Sequence, residues 1–212
     1  MDKNVEKIIN YFKKKYPDPA TALNYETPFQ LLIATIMSAQ TTDKQVNKVT
    51  EQLFQKYEKP NDFAKLNVKE LQKEIQSIGL YKNKSKYIIE SSKKIVEEFE
   101  GKVPKTRKDL IKLPGVGRKT ANVVLANAFD MKTIAVDTHV FRVANRLGLV
   151  DTDKRDQVEQ DLMEVVPEDY WTKFHHWLIF HGRETCKARS PLCDKCKISR
   201  CCDYYQNQIK GG

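Results

Sequence analysis

Apolar residues recur at helical spacing along most of this chain, and that periodicity limits its possible folds more than any other feature. Ile88, Ser92, Ile95, Val96 and Phe99 mark one face of a helix, with Lys93, Lys94, Glu97 and Glu98 outside it. The same pattern predicts helices over 4–15, 28–39, 43–57, 68–77, 107–112, 118–129, 138–147, 154–165 and 169–183. Asn67 with Glu70, and Thr106 with Asp109, have the spacing of capping boxes. Tyr16 to Pro19, Gly101 to Pro104 and Leu113 to Gly117 read as breaks. Only 133–136, Thr-Ile-Ala-Val, is β-like. The chain therefore reads as all-α with a loop-rich, cysteine-bearing tail.

A chain of 212 residues buries enough surface that neither a disulfide nor a metal is needed merely to fold. Lys and Arg number 37 against 28 Asp and Glu, and a net charge of +9 favours a polyanionic partner. The longest apolar run, Leu31 to Met37, falls far short of a membrane span. The N-terminal MDKNVEKIINYFKKKYP lacks the apolar core of a signal peptide, so a cytoplasmic protein without membrane partners is expected. All five cysteines lie between Cys186 and Cys202, which suits a local metal site better than a disulfide framework.

Three motifs carry chemistry. In Leu113-Pro-Gly-Val-Gly-Arg-Lys-Thr120, Pro114 ends one helix and two glycines permit a tight turn into the next. Such a turn aims free backbone N–H groups at one point and can hold a phosphate; an ordinary helix–helix turn has the same residues. Lys119 falls in the first turn of the second helix, where the macrodipole disfavours a cation and promotes the neutral, nucleophilic amine. Eighteen residues on, Asp137 precedes a helix: it is an N-cap by position, and also a carboxylate able to offset positive charge on a sugar. Last come Cys186, Cys193, Cys196 and Cys202, which can wrap one tetrahedral metal or an iron–sulfur cluster. Spacing alone leaves zinc and iron–sulfur both open, and leaves Cys201 as an alternative fourth ligand. Lys187 and Arg189 between the cysteines present basic groups to phosphates.

Taken with LLIATIMSAQTTDKQVNK, IGLYKNKSKYI, LPGVGRKTANVVLANAF and IAVDTHVFRVANRLGL, these features make the chain resemble the helix-hairpin-helix DNA glycosylases, and within them the endonuclease III family. The resemblance covers nearly the whole chain. It implies two helical lobes with DNA in the groove between: a helical barrel over 22–132 carrying the hairpin, and a second domain of 1–21 plus 133–212 with the cluster loop. It implies a [4Fe–4S] cluster on Cys186, Cys193, Cys196 and Cys202, selecting Cys202 over Cys201 and iron–sulfur over zinc. It makes Lys119 the nucleophile and Asp137 its acidic partner.

By the same resemblance Gln40 and Leu80 fill the gap left by a flipped nucleotide, although each also reads as an ordinary helix-end or loop residue. Gly115, Val116, Gly117 and Arg118 of the hairpin are placed at the DNA backbone. His139 lies in a matched motif near the site and is placed with the DNA contacts. One departure stands out: some relatives carry a carboxylate two positions before the Leu-Pro-Gly, where this chain has Ile111. The expected function is a monomeric glycosylase and abasic-site lyase acting on oxidised pyrimidines in duplex DNA. An adenine-mismatch glycosylase is disfavoured by Lys119 and by the absence of a further domain before Gly212; a non-enzymatic DNA-binding module with a structural metal is disfavoured by Lys119 and Asp137 occurring together. His175, His176 and His181 could suggest a metal site but do not share one helix face, so core or capping roles are expected for them.

Overall fold

The Asp2 carboxylate accepts the amide of Asn4 at 2.6 Å and starts α1 (Lys3–Lys15), whose stripe of Val5, Ile8, Ile9 and Phe12 is buried. This computed structural model describes residues 2–209. The chain separates into two compact units, one joining Met1–Ala20 to Lys132–Gly212 and the other spanning Thr21–Met131.

The second unit is built around α2 (Pro28–Ser38). Thr27 caps it, Pro28 supplies a first-turn residue with no amide to satisfy, and every residue from Phe29 to Met37 is buried. A helix apolar on all sides belongs at the centre of a bundle. Around it lie α3 (Asp43–Lys56), α4 (Pro60–Ala64), α5 (Val68–Glu74), α6 (Tyr81–Glu98), α7 (Arg107–Leu110) and α8 (Arg118–Ala128). They enclose one core that includes Leu31, Ile33, Leu53, Phe63, Ile88 and Leu113.

The first unit packs α1 with α9 (Thr138–Leu147), α10 (Arg155–Val165) and α11 (Trp171–Glu184) around Phe12, Phe174 and Trp177. Phe12 meets Trp177 at 6.0 Å and Phe174 at 6.1 Å between ring centroids, within the range of favourable aromatic pairs. Trp177 Nε1 donates to the Tyr16 carbonyl at 2.9 Å, fixing where α1 ends. His175, His176 and His181 are all buried in α11, the first of the two roles, core or cap, expected for them.

Several boundaries differ from the sequence reading. The helix marked by Ile88 begins at Tyr81. The short α4 was not expected: five residues carry no periodicity, and its start depends on Asp62 Oδ2 accepting the amides of Glu58 and Lys59 at 3.0 and 2.9 Å. The β-like 133–136 adopts no regular secondary structure, and the described residues contain no strand, in keeping with the all-α reading. Its β-branched residues instead serve burial, since Ile134 and Val136 enter the core of the first unit. No described helix is long and apolar enough to cross a membrane.

Candidate functional site

The hairpin lies in the second unit. Thr106 accepts the Asp109 amide at 3.1 Å to start α7, and the chain then turns through Ile111 to Gly117 into α8. Val116 is buried and anchors the turn in the core, while Ser91 Oγ donates to the Pro114 carbonyl at 2.7 Å and ties the turn to α6. Gly115 has φ +77°, and a Cβ there would stand 2.8 Å from the side chain of Tyr87; only glycine meets both conditions. A Cβ on Gly117 would meet nothing within 4 Å, so that side of the turn is open where α8 begins. Arg118 and Lys119 are the first two residues of α8, behind a turn that is open at Gly117 and whose Val116 amide donates to the Leu113 carbonyl at 3.1 Å. Lys119 is half-buried, and Ile111 is 50% exposed.

Gln40 and Leu80 are in the same unit, on the turns after α2 and before α6. Both are exposed and both hold left-handed backbone, at φ 54° and 59°. Leu80 is 53% exposed, unusual for a leucine in a well-packed unit.

Asp137 lies in the first unit and caps α9. Its Oδ1 accepts the amides of His139 and Val140, each at 2.8 Å, so the cap leaves Oδ2 out of its bonding. His139 is half-buried, and burial holds its pKa below the usual imidazole range, with the Asp137 charge acting in the opposite direction. Its Nδ1 lies 3.2 Å from Arg142 Nη2. Arg142 also donates to the carbonyls of Gly182 at 2.9 Å and Cys186 at 3.0 Å, fastening α9 to the end of α11.

Cys186, Cys193, Cys196 and Cys202 line one recess, together with Leu147, His181 and Tyr205 among others. Cys201 is outside that lining, although it is next in sequence to Cys202. All five thiols are free of disulfides. Among the described residues, no three His, Cys, Asp or Glu side chains converge closely enough for a single ion. Four thiolates on one zinc, each about 2.3 Å from it, would sit roughly 3.8 Å apart. Four sulfur donors lining one recess are a donor set of the kind that an iron–sulfur cluster takes. Burial pushes the Cys202 thiol up to about 11, so a bound cation would have to draw it into the thiolate form.

Arg146, one turn beyond Arg142, holds the cysteine loop from outside. It donates to Cys186 Sγ at 3.5 Å and to the carbonyls of Lys187 and Ala188 at 2.7 and 3.1 Å, leaving Lys187 and Arg189 exposed on a supported loop. The roles of Arg142 and Arg146 were missed from sequence. Their four-residue spacing on one helix face was the available signal.

A helical bundle with a glycine hairpin, a lysine behind it and a four-thiol recess defines a class of DNA-handling fold, and comparison with known proteins identifies its family. Residues 33–168 match the HhH-GPD superfamily base excision DNA repair protein family. The chain is 51% identical to endonuclease III of Rickettsia conorii (strain ATCC VR-613 / Malish 7), over 96% of this chain and 97% of that one. It is 47% identical to endonuclease III of Bacillus subtilis (strain 168), over 99% and 96% respectively. It also superposes, with a TM-score of 0.92 and 43% identity over 99% of this chain and 100% of the other, on an endonuclease III trapped as a covalent intermediate with DNA. The chain belongs to the endonuclease III family of the HhH-GPD base excision repair superfamily.

Proposed function

We propose that this chain is a bifunctional DNA glycosylase and abasic-site lyase that removes oxidised pyrimidines from duplex DNA with Lys119 as nucleophile. The observation that carries this reading is the position of Lys119, second residue of α8 behind an anchored glycine turn, in a chain similar to an endonuclease III held covalently on DNA.

The amides at Gly115 and Gly117 grip a phosphate, the Val116 amide being spent on the Leu113 carbonyl at 3.1 Å, and Lys187 and Arg189 grip others; such contacts orient DNA without reading its sequence. Gln40 and Leu80 occupy the space vacated by the extruded base, offsetting a flipping cost of a few kcal/mol. The unprotonated Nζ of Lys119 then forms a bond to C1′ as the N-glycosidic bond breaks and the base departs with a proton. Opening of the sugar ring gives a Schiff base. Loss of a proton from C2′ expels the 3′ phosphate by β-elimination, nicking the strand, and water hydrolyses the imine to return free Lys119. Through these steps the Asp137 carboxylate offsets the positive charge that develops at C1′, and His139 sits beside it at the DNA.

The donor set fits a [4Fe–4S] cluster on Cys186, Cys193, Cys196 and Cys202, which when bound supplies a rigid core for the loop carrying Lys187 and Arg189 and takes no part in bond breaking. Cys202→Ser should lose most of its iron and reduce the magnitude of the salt dependence of DNA binding by about two, one for each phosphate that Lys187 and Arg189 no longer neutralise. Cys201→Ser should keep both. Iron analysis and a salt titration test this; equal iron loss in the two variants would overturn the assignment of Cys202. The protein acts inside the cell as a monomer.

Borohydride reduction on a duplex bearing one thymine glycol tests the mechanism. A covalent protein–DNA adduct is expected from the wild type, and none from Lys119→Gln. No adduct from folded, iron-loaded wild type, on thymine glycol or on an abasic site, would sink the lyase activity.

A further inference from the structure

Gln40 and Leu80 are strained as well as exposed. A non-glycine residue in the left-handed region costs roughly 1–2 kcal/mol and persists only where its surroundings enforce it. What surrounds these two residues is a buried lysine. Lys84, in the first turn of α6 and four residues beyond Leu80, is only 3% exposed. Its Nζ donates to the carbonyl of Met37 at 2.7 Å, to the carbonyl of Ala39, and to Thr41 Oγ1 at 3.3 Å. Three N–H donors thus have three acceptors, and those acceptors bracket Gln40 on both sides. The Met37 carbonyl belongs to the last turn of α2, where carbonyls lack helical partners and a cation is favoured.

The second turn closes onto the first. The Gly79 amide donates to the same Thr41 Oγ1 at 3.0 Å, and a Cβ on Gly79 would stand 2.8 Å from the Gln40 carbonyl. No space remains between the turn that carries Gln40 and the turn that carries Leu80. Lys84 reaches across from the helix that Leu80 begins to the carbonyls that flank Gln40. Burying an ammonium is costly, and here burial lowers the Lys84 pKa to about 8. An apolar side chain would fill the same space without that cost. The ammonium instead supplies three directed bonds that fix both turns at once.

We propose that Lys84 is a positioning residue for base extrusion, clamping the turns of Gln40 and Leu80 into one preformed wedge. This rests on the reading of those two residues as gap-filling. It predicts that Lys84 matters most when a paired base must be displaced, and less when no base is present.

The test compares wild type with Lys84→Met, which keeps length and loses all three donors, and with Thr41→Val, which removes the shared acceptor and serves if Lys84→Met does not fold. Single-turnover release of thymine glycol from a fully paired duplex should fall at least about tenfold, since misplacing a positioning group by an ångström can cost more than that. Nicking of a preformed abasic site, which uses the same Lys119 chemistry, should change by less than about threefold. In a Gln40→Ala, Leu80→Ala background, Lys84→Met should add little, because the residues it positions are gone. Equal losses on both substrates, or a fully additive loss in that background, would overturn the proposal. An activity-independent arm measures amide hydrogen exchange in peptides covering 37–42 and 78–82. Both segments should exchange at least about tenfold faster together in either variant, with α11 unaffected. Unchanged exchange would refute the clamp. If wild type releases no thymine glycol, the gap-filling reading falls, and the exchange arm still decides whether the clamp exists.

Discussion

Lys119→Gln is expected to lower both base release and strand nicking by at least about a thousandfold, because removing a covalent nucleophile forfeits the whole route it opens. Glutamine nearly preserves the length of the side chain but offers no amine to form an imine. Its effect on binding should be small. One positive charge is lost from a chain carrying 37 basic residues, which should change the salt slope of DNA binding by about one. The glycine turn that precedes Lys119 is held by buried Val116 and by the Ser91–Pro114 hydrogen bond at 2.7 Å, neither of which involves the lysine. The variant should therefore bind a lesion duplex and fail to process it. Single-turnover kinetics with binding measured in parallel provide the check. Activity within tenfold of wild type would remove Lys119 from the mechanism. Release of the base with nicking abolished would mean that water, and not Lys119, displaces the base.

The parts of this molecule governed by local rules were legible in its sequence. Asn67 and Glu70 form the capping box their spacing suggested, with the Asn67 amide donating to Glu70 at 2.9 Å. Asp137 is the N-cap that its position before an apolar-periodic segment implied. The spacing of the histidines in α11 argued against a shared metal site and for core or capping roles, and all three are buried. What could not be read depends on tertiary surroundings. Left-handed backbone at Gln40 and Leu80 has no local signal, since neither residue favours it; it is imposed by the clamp. Lys84 is one basic residue among 37, and nothing near it in sequence marks it as buried. The choice between Cys201 and Cys202 could not be settled by spacing, because adjacent residues differ by one; folding separates them, bringing Cys202 into the recess and leaving Cys201 outside its lining. The 133–136 segment, β-like in composition, was rightly not read as a strand in an all-α chain. Its β-branched residues suit a connector whose Ile134 and Val136 enter the core of the first unit.

Asp137 has a capping role and a proposed catalytic one, and two substitutions can separate them. The cap uses Oδ1 to accept the amides of His139 and Val140 at 2.8 Å each, and needs an oxygen but no charge. Asparagine at this position would keep that oxygen, because it caps a helix about as well as aspartate. Asp137→Asn should therefore unfold within about 2 °C of wild type, whereas Asp137→Ala should lose about 1 kcal/mol and melt roughly 2–4 °C lower. Catalysis should divide the variants differently. If the carboxylate offsets positive charge at C1′, both lose it, and both should fall by about a hundredfold or more in single-turnover base release. Measuring melting and turnover on the same three proteins makes the two roles independent. A fully active Asp137→Asn would reduce Asp137 to a helix cap, and the charge at C1′ would need another source. A stable but inactive Asp137→Asn beside a destabilised, equally inactive Asp137→Ala would show that this residue starts α9 with one oxygen and serves the reaction with its charge.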